Sequence, residues 1–241
     1  MIQKDLGFVL RRYDFRTSSI IATVYTERFG KISVILKGFY GKKREFSSPL
    51  ELCSLNEFVF YPKKSPIWLV SFVDLIHMHG YLRENFLKAQ VAGIFINLIE
   101  NVMQPWDVHP EIFDLLKNSL SKLENEDERK LLCIFLIKFL TLSGFKPEFT
   151  KCLVCSKYLS EDTLFSVSRG GLLCRGCSKK SDDITSVSKE AYSSLLYMQK
   201  SNLQMALRIS LTKNCRHEVF YLLRRFLAYH LENDILSKFI M

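Results

Sequence analysis

Two runs, Ser19-Ile20-Ile21-Ala22-Thr23-Val24-Tyr25 and Lys31-Ile32-Ser33-Val34-Ile35-Leu36-Lys37, stand either side of Thr26-Glu27-Arg28-Phe29-Gly30. Both are rich in β-branched residues, and Gly30 closes a link short enough for a hairpin. Phe8-Val9-Leu10 precedes them. Ser54-Leu55-Asn56-Glu57-Phe58-Val59-Phe60-Tyr61, stopped by Pro62, and Ile67-Trp68-Leu69-Val70-Ser71-Phe72-Val73 follow. Gly38 and Gly41 open a longer loop that carries Lys42-Lys43-Arg44. Five short strands between residue 6 and about residue 76 fit a small closed barrel such as an OB-fold, and an SH3-like barrel would give a similar pattern.

From Tyr81 the period becomes helical. Leu87, Val91, Ile94, Phe95, Leu98 and Val102 form one apolar stripe that must end before Pro105. Pro110 suits a first helical position, Glu111 complements the helix dipole, and Ile112, Phe113, Leu116, Leu120 and Leu123 continue the pattern. A third helix is expected from about Asp127 to Ser143, with Gly144 terminating it. Ser188 caps a helix through about Gln199, and residues 216–240 read as a last helix. The expected class is α+β multidomain. An OB-fold barrel fills residues 1–80, and an all-α domain over 81–241 carries a module at about 148–180. No internal repeat is visible.

That module holds the strongest chemical signal. Cys152-Leu153-Val154-Cys155 and Cys174-Arg175-Gly176-Cys177 are separated by eighteen residues. Two such knuckles wrap one tetrahedral Zn²⁺ and leave no open position for a catalytic water, so the site is structural. Ser168-Arg169-Gly170-Gly171 lets the chain reverse between them. Two dithiol redox pairs, or four unrelated thiols, are the competing readings; redox pairs usually sit singly on a βαβ unit, which is missing here. Cys53, Cys133 and Cys215 lie in apolar or helical contexts and read as buried thiols.

Composition bounds the rest. The 241 residues are 48% hydrophobic and 24% charged with 10 Gly and 6 Pro, which excludes collagen-like, low-complexity and mainly disordered chains. The net charge of +9 points to a polyanionic partner, nucleic acid or an acidic membrane surface. Residues 1–80 hold 12 basic and 7 acidic side chains, residues 81–150 hold 8 and 10, and residues 151–241 hold 14 and 8. The opening Met1-Ile2-Gln3-Lys4-Asp5 does not resemble a signal peptide, and the run from Leu131 to Leu142 is interrupted by Lys138. A soluble intracellular chain without membrane partners is expected.

Basic residues beside rings are the second signal. Lys37, Lys42, Lys43 and Arg44 cluster near Phe39 and Tyr40, offering phosphate partners next to stacking surfaces. For Phe39 and Tyr40, packing and stacking both remain open. Arg11, Arg12, Arg16 and Lys31 belong to the same barrel. A helix beginning early enough would place Lys213, Arg216 and Arg224 within about 80° of one another, as a phosphate contact or a solvated face. His77, His79, His109, His217 and His230 form no catalytic arrangement with Asp, Glu or Ser, and no phosphate loop, nucleophile elbow or paired-acid motif is present. No enzyme is expected.

Taken together, the order of pieces resembles the bacterial RecO DNA repair and recombination mediator family. The carriers are Phe8-Val9-Leu10 with Arg12; Thr26-Glu27 before Gly30; Lys37-Gly38 with the Lys42-Lys43-Arg44 loop; and Ser48-Pro49-Leu50-Glu51. Further on come Ser143-Gly144-Phe145-Lys146-Pro147 before the first knuckle, and Leu227-Ala228-Tyr229-His230-Leu231 with Ser237. The resemblance implies an OB-fold, a helical domain and a zinc module in the four-cysteine branch. It also implies binding of single- and double-stranded DNA, annealing of complementary strands, and action with RecR-type and RecF partners to help RecA load onto strands covered by single-strand binding protein. Lys37, Lys42, Lys43 and Arg44, with Arg12, are then the DNA candidates. The C-terminal tail of single-strand binding protein would meet the helical domain, the setting would be the bacterial cytoplasm and nucleoid, and no nucleotide would be hydrolysed. The alternative from another class is a zinc-ribbon protein-contact adaptor that does not touch DNA.

Overall fold

The structure, a computed structural model, describes residues 2–41, 46–62, 65–158, 163–178, 183–231, 236 and 239. Chain contacts divide it into two compact units, residues 1–124 and 125–241.

The first unit is built on five strands: β1 (Gln3–Phe15), β2 (Ser19–Thr26), β3 (Gly30–Leu36), β4 (Leu55–Tyr61) and β5 (Ile67–His77). They close in the order β1-β2-β3-β5-β4, with β3 and β5 parallel and β4 returning to β1. This is the OB-fold arrangement. β3 explains why the barrel closes here. Its residues alternate, with Ile32, Val34 and Leu36 buried and Lys31, Ser33 and Ile35 half-buried outside. The inward set joins Val9, Ile20, Ala22, Val24, Phe58, Phe60, Trp68 and Val70 in one core. At about 25 cal/mol per Å² of apolar surface removed from water, such a filling stabilises the fold far more than any one hydrogen bond.

The β2–β3 turn is fixed by local chemistry. The Thr26 hydroxyl donates to the Gly30 carbonyl at 2.9 Å and accepts from the Phe29 N–H at 3.1 Å, while Gly30 sits at φ +63°. β1 extends well beyond the expected Phe8–Leu10 because it pairs with β4 over residues 3–8 and with β2 from Gly7 to Phe15.

A 3₁₀ turn leads into α1 (Phe86–Val102), followed by α2 (Pro110–Leu123). Asn85 caps α1 by accepting the Lys88 N–H, and Pro110 occupies the start of α2 as expected. The strand-to-helix switch falls near residue 80, yet both helices group with the barrel. The physical reason is packing: Phe113 of α2 lies 5.4 Å from Phe8 and 6.2 Å from Tyr25, centroid to centroid.

The second unit contains α3 (Glu128–Leu142), α4 (Lys189–Lys200), a short α5 (Leu203–Ala206) and α6 (Lys213–His230). Its caps match the residue types that favour them: Asp127, Ser188, Asn202 and Thr212 each accept an N–H from the first turn. Gly144 follows α3 at φ +90°, in the left-handed terminating conformation. Between α3 and α4 lies a three-stranded sheet in the order β7-β6-β8, formed by β6 (Thr163–Ser166), β7 (Gly171–Cys174) and β8 (Ile184–Val187). No described helix is long and apolar enough to cross a membrane.

Candidate metal centre and nucleic-acid interface

The first knuckle is a tight turn. The Cys152 N–H donates to the Lys157 carbonyl at 2.9 Å, the Ser156 N–H donates back to the Cys152 carbonyl at 2.9 Å, and Ser156 takes φ +57°. The second follows β7 as a 3₁₀ turn, Arg175–Cys177, in which the Ser178 N–H reaches the Cys174 carbonyl at 3.2 Å. Backbone bonds hold the two together. Leu153 donates to Leu172 at 2.9 Å, Glu148 donates to Gly170 at 3.0 Å, and Leu172 donates to Glu148 at 3.0 Å. A Cβ on Gly171 would meet the Leu153 side chain at 2.9 Å and Glu148 at 3.0 Å, so the approach requires glycine. The turn Val167–Gly170 reverses the chain between β6 and β7, as the Ser-Arg-Gly-Gly stretch predicts. Phe165 anchors the sheet beneath, 5.7 Å from Phe149 and 6.0 Å from Phe226.

All four sulfur atoms converge. Those of Cys152, Cys155, Cys174 and Cys177 lie within 4.8 Å of one another, and the Cys155 and Cys174 sulfurs are 3.8 Å apart. A tetrahedron of thiolates at about 2.3 Å from a central ion has edges of about 3.8 Å. Protonation chemistry agrees with the geometry. Burial pushes the Cys152 thiol up, but hydrogen bonds from the backbone of Cys155, Cys174 and Val154 and from the Cys155 thiol outweigh it and bring it to about 6. The Cys177 thiol is pushed up to about 12 by its hydrogen bonds to Cys174 and Cys155 and by burial. Four sulfurs so placed could exchange their protons for one soft divalent ion. The group can hold one metal ion with no position left open. Cys53, Cys133 and Cys215 are buried thiols apart from it, each pushed up by burial.

The basic candidates on the barrel fall at two places. Arg12, on β1, donates to the Pro49 carbonyl and lines a groove of about 500 Å³ with Phe39, Tyr40, Phe46 and Ser48. Phe39 is half-buried, packs against the barrel core and stacks on Phe46 at 5.8 Å. Tyr40 is exposed; its hydroxyl donates to Asp14 at 2.7 Å, and that bond pushes its pKa up. Lys37 is exposed one residue beyond β3. Lys42, Lys43 and Arg44 lie outside the described residues. Elsewhere on the barrel, Arg11 lies 3.8 Å from the Glu100 carboxylate, and the Lys31 ammonium donates to the Glu100 carbonyl.

On α6, which does begin early enough, Lys213 is exposed, whereas Arg216 and Arg224 are half-buried. Arg216 pairs with Asp127 at 3.1 Å, beside the cap of α3. The three do not form one open patch. Arg225 bonds to Asp183 and Thr185, tying α6 to the strand that completes the cysteine sheet. Sequence reasoning missed one feature of the barrel unit, an exposed Trp106 in the α1–α2 linker beside Lys31. The pairing of that linker with β3 is a tertiary contact that no local pattern announces.

Comparison with known proteins gives two family-model matches. One described as Recombination protein O N terminal covers residues 1–78, and one described as Recombination protein O C terminal covers residues 83–239. The DNA repair protein RecO of Caldicellulosiruptor bescii is 30% identical over 237 residues, spanning 96% of this chain and 94% of its own. That of Caldicellulosiruptor saccharolyticus is 29% identical over 237 residues with the same coverage, 96% and 94%. The protein of that name from Syntrophus aciditrophicus is 27% identical over 241 residues, covering 97% and 93%.

Proposed function

The chain belongs to the RecO family of DNA repair proteins, and from that premise we propose that it is a DNA-binding recombination mediator. It anneals complementary strands and helps a RecA-type recombinase load onto strands covered by single-strand binding protein, acting by binding rather than turnover. The observation that carries this reading is the closed five-stranded barrel in OB-fold order, with Arg12 and Lys37 on its exterior and the basic sequence Lys42-Lys43-Arg44 following. Lysine and arginine side chains on such a barrel neutralise phosphates and release counterions, so affinity falls steeply with salt. Two strands drawn onto one positive surface repel each other less, which speeds their pairing. Tyr40, exposed at the groove beside Arg12, serves as a ring against which a base stacks; Phe39, packed on the core, supports it.

The four cysteines, Cys152, Cys155, Cys174 and Cys177, hold one structural Zn²⁺, whose contribution is to cross-link the two knuckles. The helical unit supplies the surface for a RecR-type partner, for RecF and for the tail of single-strand binding protein, with Lys213 as its exposed basic residue and Arg216 and Arg224 as further candidates. The setting is the bacterial nucleoid.

Fluorescence anisotropy of labelled oligonucleotides across a salt series tests the reading. We expect binding at low salt with log affinity falling linearly against log salt. Retained metal without salt-sensitive binding would instead support a protein-contact adaptor.

A further inference from the structure

The linker between α1 and α2 runs along the edge of the barrel. Pro105 bridges to Lys31, the Trp106 N–H donates to the Lys31 carbonyl at 3.0 Å, and the Tyr25 hydroxyl donates to the His109 carbonyl at 3.3 Å. Its backbone is therefore anchored without help from the indole. Trp106 nevertheless holds φ +67°, a conformation uncommon for a bulky residue, and its side chain is 42% exposed. The indole packs on Trp68, 4.8 Å away and tilted by 53°, and Trp68 is seated among Phe29 and Phe60. A rigid aromatic base thus backs the exposed ring.

Trp106 forms one wall of a groove of about 300 Å³. The other walls include Thr23, Lys31, Ser33 and Pro66. Thr23 and Ser33 are cross-strand partners on β2 and β3, and Lys31 and Ser33 alternate with the core residues Ile32 and Val34, so they share the outer face. Lys37 follows six residues beyond Lys31, about 20 Å along the strand direction. At the groove the Glu100 carboxylate lies 3.8 Å from Arg11, and the Lys31 ammonium donates to the Glu100 carbonyl.

We infer that this groove takes a base of a single-stranded nucleic acid, which stacks on Trp106 while the strand follows the outer face of β3 toward Lys37. The inference rests on the DNA-binding reading and adds a stacking residue from outside the barrel sequence. An aromatic face, hydroxyls and a lysine suit an unpaired base and its phosphate. A duplexed base has both faces covered by its neighbours.

The chain has two tryptophans, and Trp68 is buried, so the test uses the full-length protein's own emission alongside anisotropy of labelled oligo(dT). We expect tryptophan emission to fall as unlabelled oligo(dT) saturates the protein, and to change little with a duplex. Trp106→Ala should bind oligo(dT) about 5- to 150-fold more weakly, with the salt slope unchanged because no charge is lost. Trp106→Phe should keep most of the affinity and lose most of the quench, which decides the matter if the alanine variant proves poorly folded by circular dichroism. Binding seen by anisotropy with unchanged emission, or wild-type affinity in a folded Trp106→Ala, would overturn the inference and leave the DNA-binding reading standing. Absence of any binding at low salt would overturn both.

Discussion

A Cβ at Gly30 would lie 2.1 Å from the Asp107 carbonyl oxygen, and its φ of +63° already disfavours an L side chain. The β2–β3 turn and the α1–α2 linker meet at this one residue. Gly30→Ala should destabilise the barrel unit by about 1–3 kcal/mol, the usual range for a strained backbone position. Thermal denaturation checks this, and an unchanged Tm would contradict it. His79 offers a second test at this scale. It is buried at φ +54°, neither ring nitrogen has a hydrogen-bond partner, and the His77 ring lies 4.2 Å away. Burial, with His77 adding to it, brings its pKa down from 6.5 to about 4. Between those values the unfolded chain binds the proton first, so stability is full above pH 6.5 and is lost as pH falls toward 4. His79→Asn, which tolerates the left-handed backbone, should flatten that dependence in urea titrations at stepped pH. A wild-type slope in the variant would place the acid sensitivity elsewhere.

The elements were legible where the signal is local. Alternation in β3, the stripe of α1, Pro110 at α2, Ser188 at α4 and Gly144 after α3 each follow from residue type and spacing. Strand ends were less so, because β1 and β5 are extended by the partners they pair with, and pairing partners are distant in sequence. The four-residue α5 has a good cap in Asn202 but no apolar stripe to reveal it. For the cysteine module, spacing alone announced convergence, and the sulfur separations bear it out. Cys174→Ser removes one ligand and places a hydroxyl among three thiols. We expect loss of bound zinc by elemental analysis and faster amide exchange in β6, β7 and β8, while α3 keeps its protection. The sheet is small and its core rests on Phe149, Phe165 and Phe226, so a metal cross-link there would contribute much of its local stability. Unchanged exchange would make the metal dispensable to the fold.

For the whole chain, charge is what would link the fold to the proposed nucleic-acid partner. The net +9 was readable at once, as was the excess of basic residues in the barrel region. What composition could not reveal is which of those cations remain available. Arg216 is committed to Asp127 and Arg225 to Asp183, while Lys37 and Lys213 stand exposed. Nor does charge show that helices α1 and α2 group with the barrel, a matter of Phe113 meeting Phe8 and Tyr25. Replacing Lys42, Lys43 and Arg44 together with Ala should reduce the slope of log affinity against log salt for single strands by about 2, at about 0.7 per phosphate contact. Circular dichroism should remain as in the wild type, and an unchanged slope would remove this segment from the binding surface. The most direct test of the mediator account is the annealing rate of two complementary oligonucleotides, followed by fluorescence with metal-analysed protein across a salt series. Protein carrying about one zinc per chain should accelerate annealing, and the acceleration should decline as salt rises. Zinc-loaded, folded protein that leaves the annealing rate unchanged at low salt would contradict it.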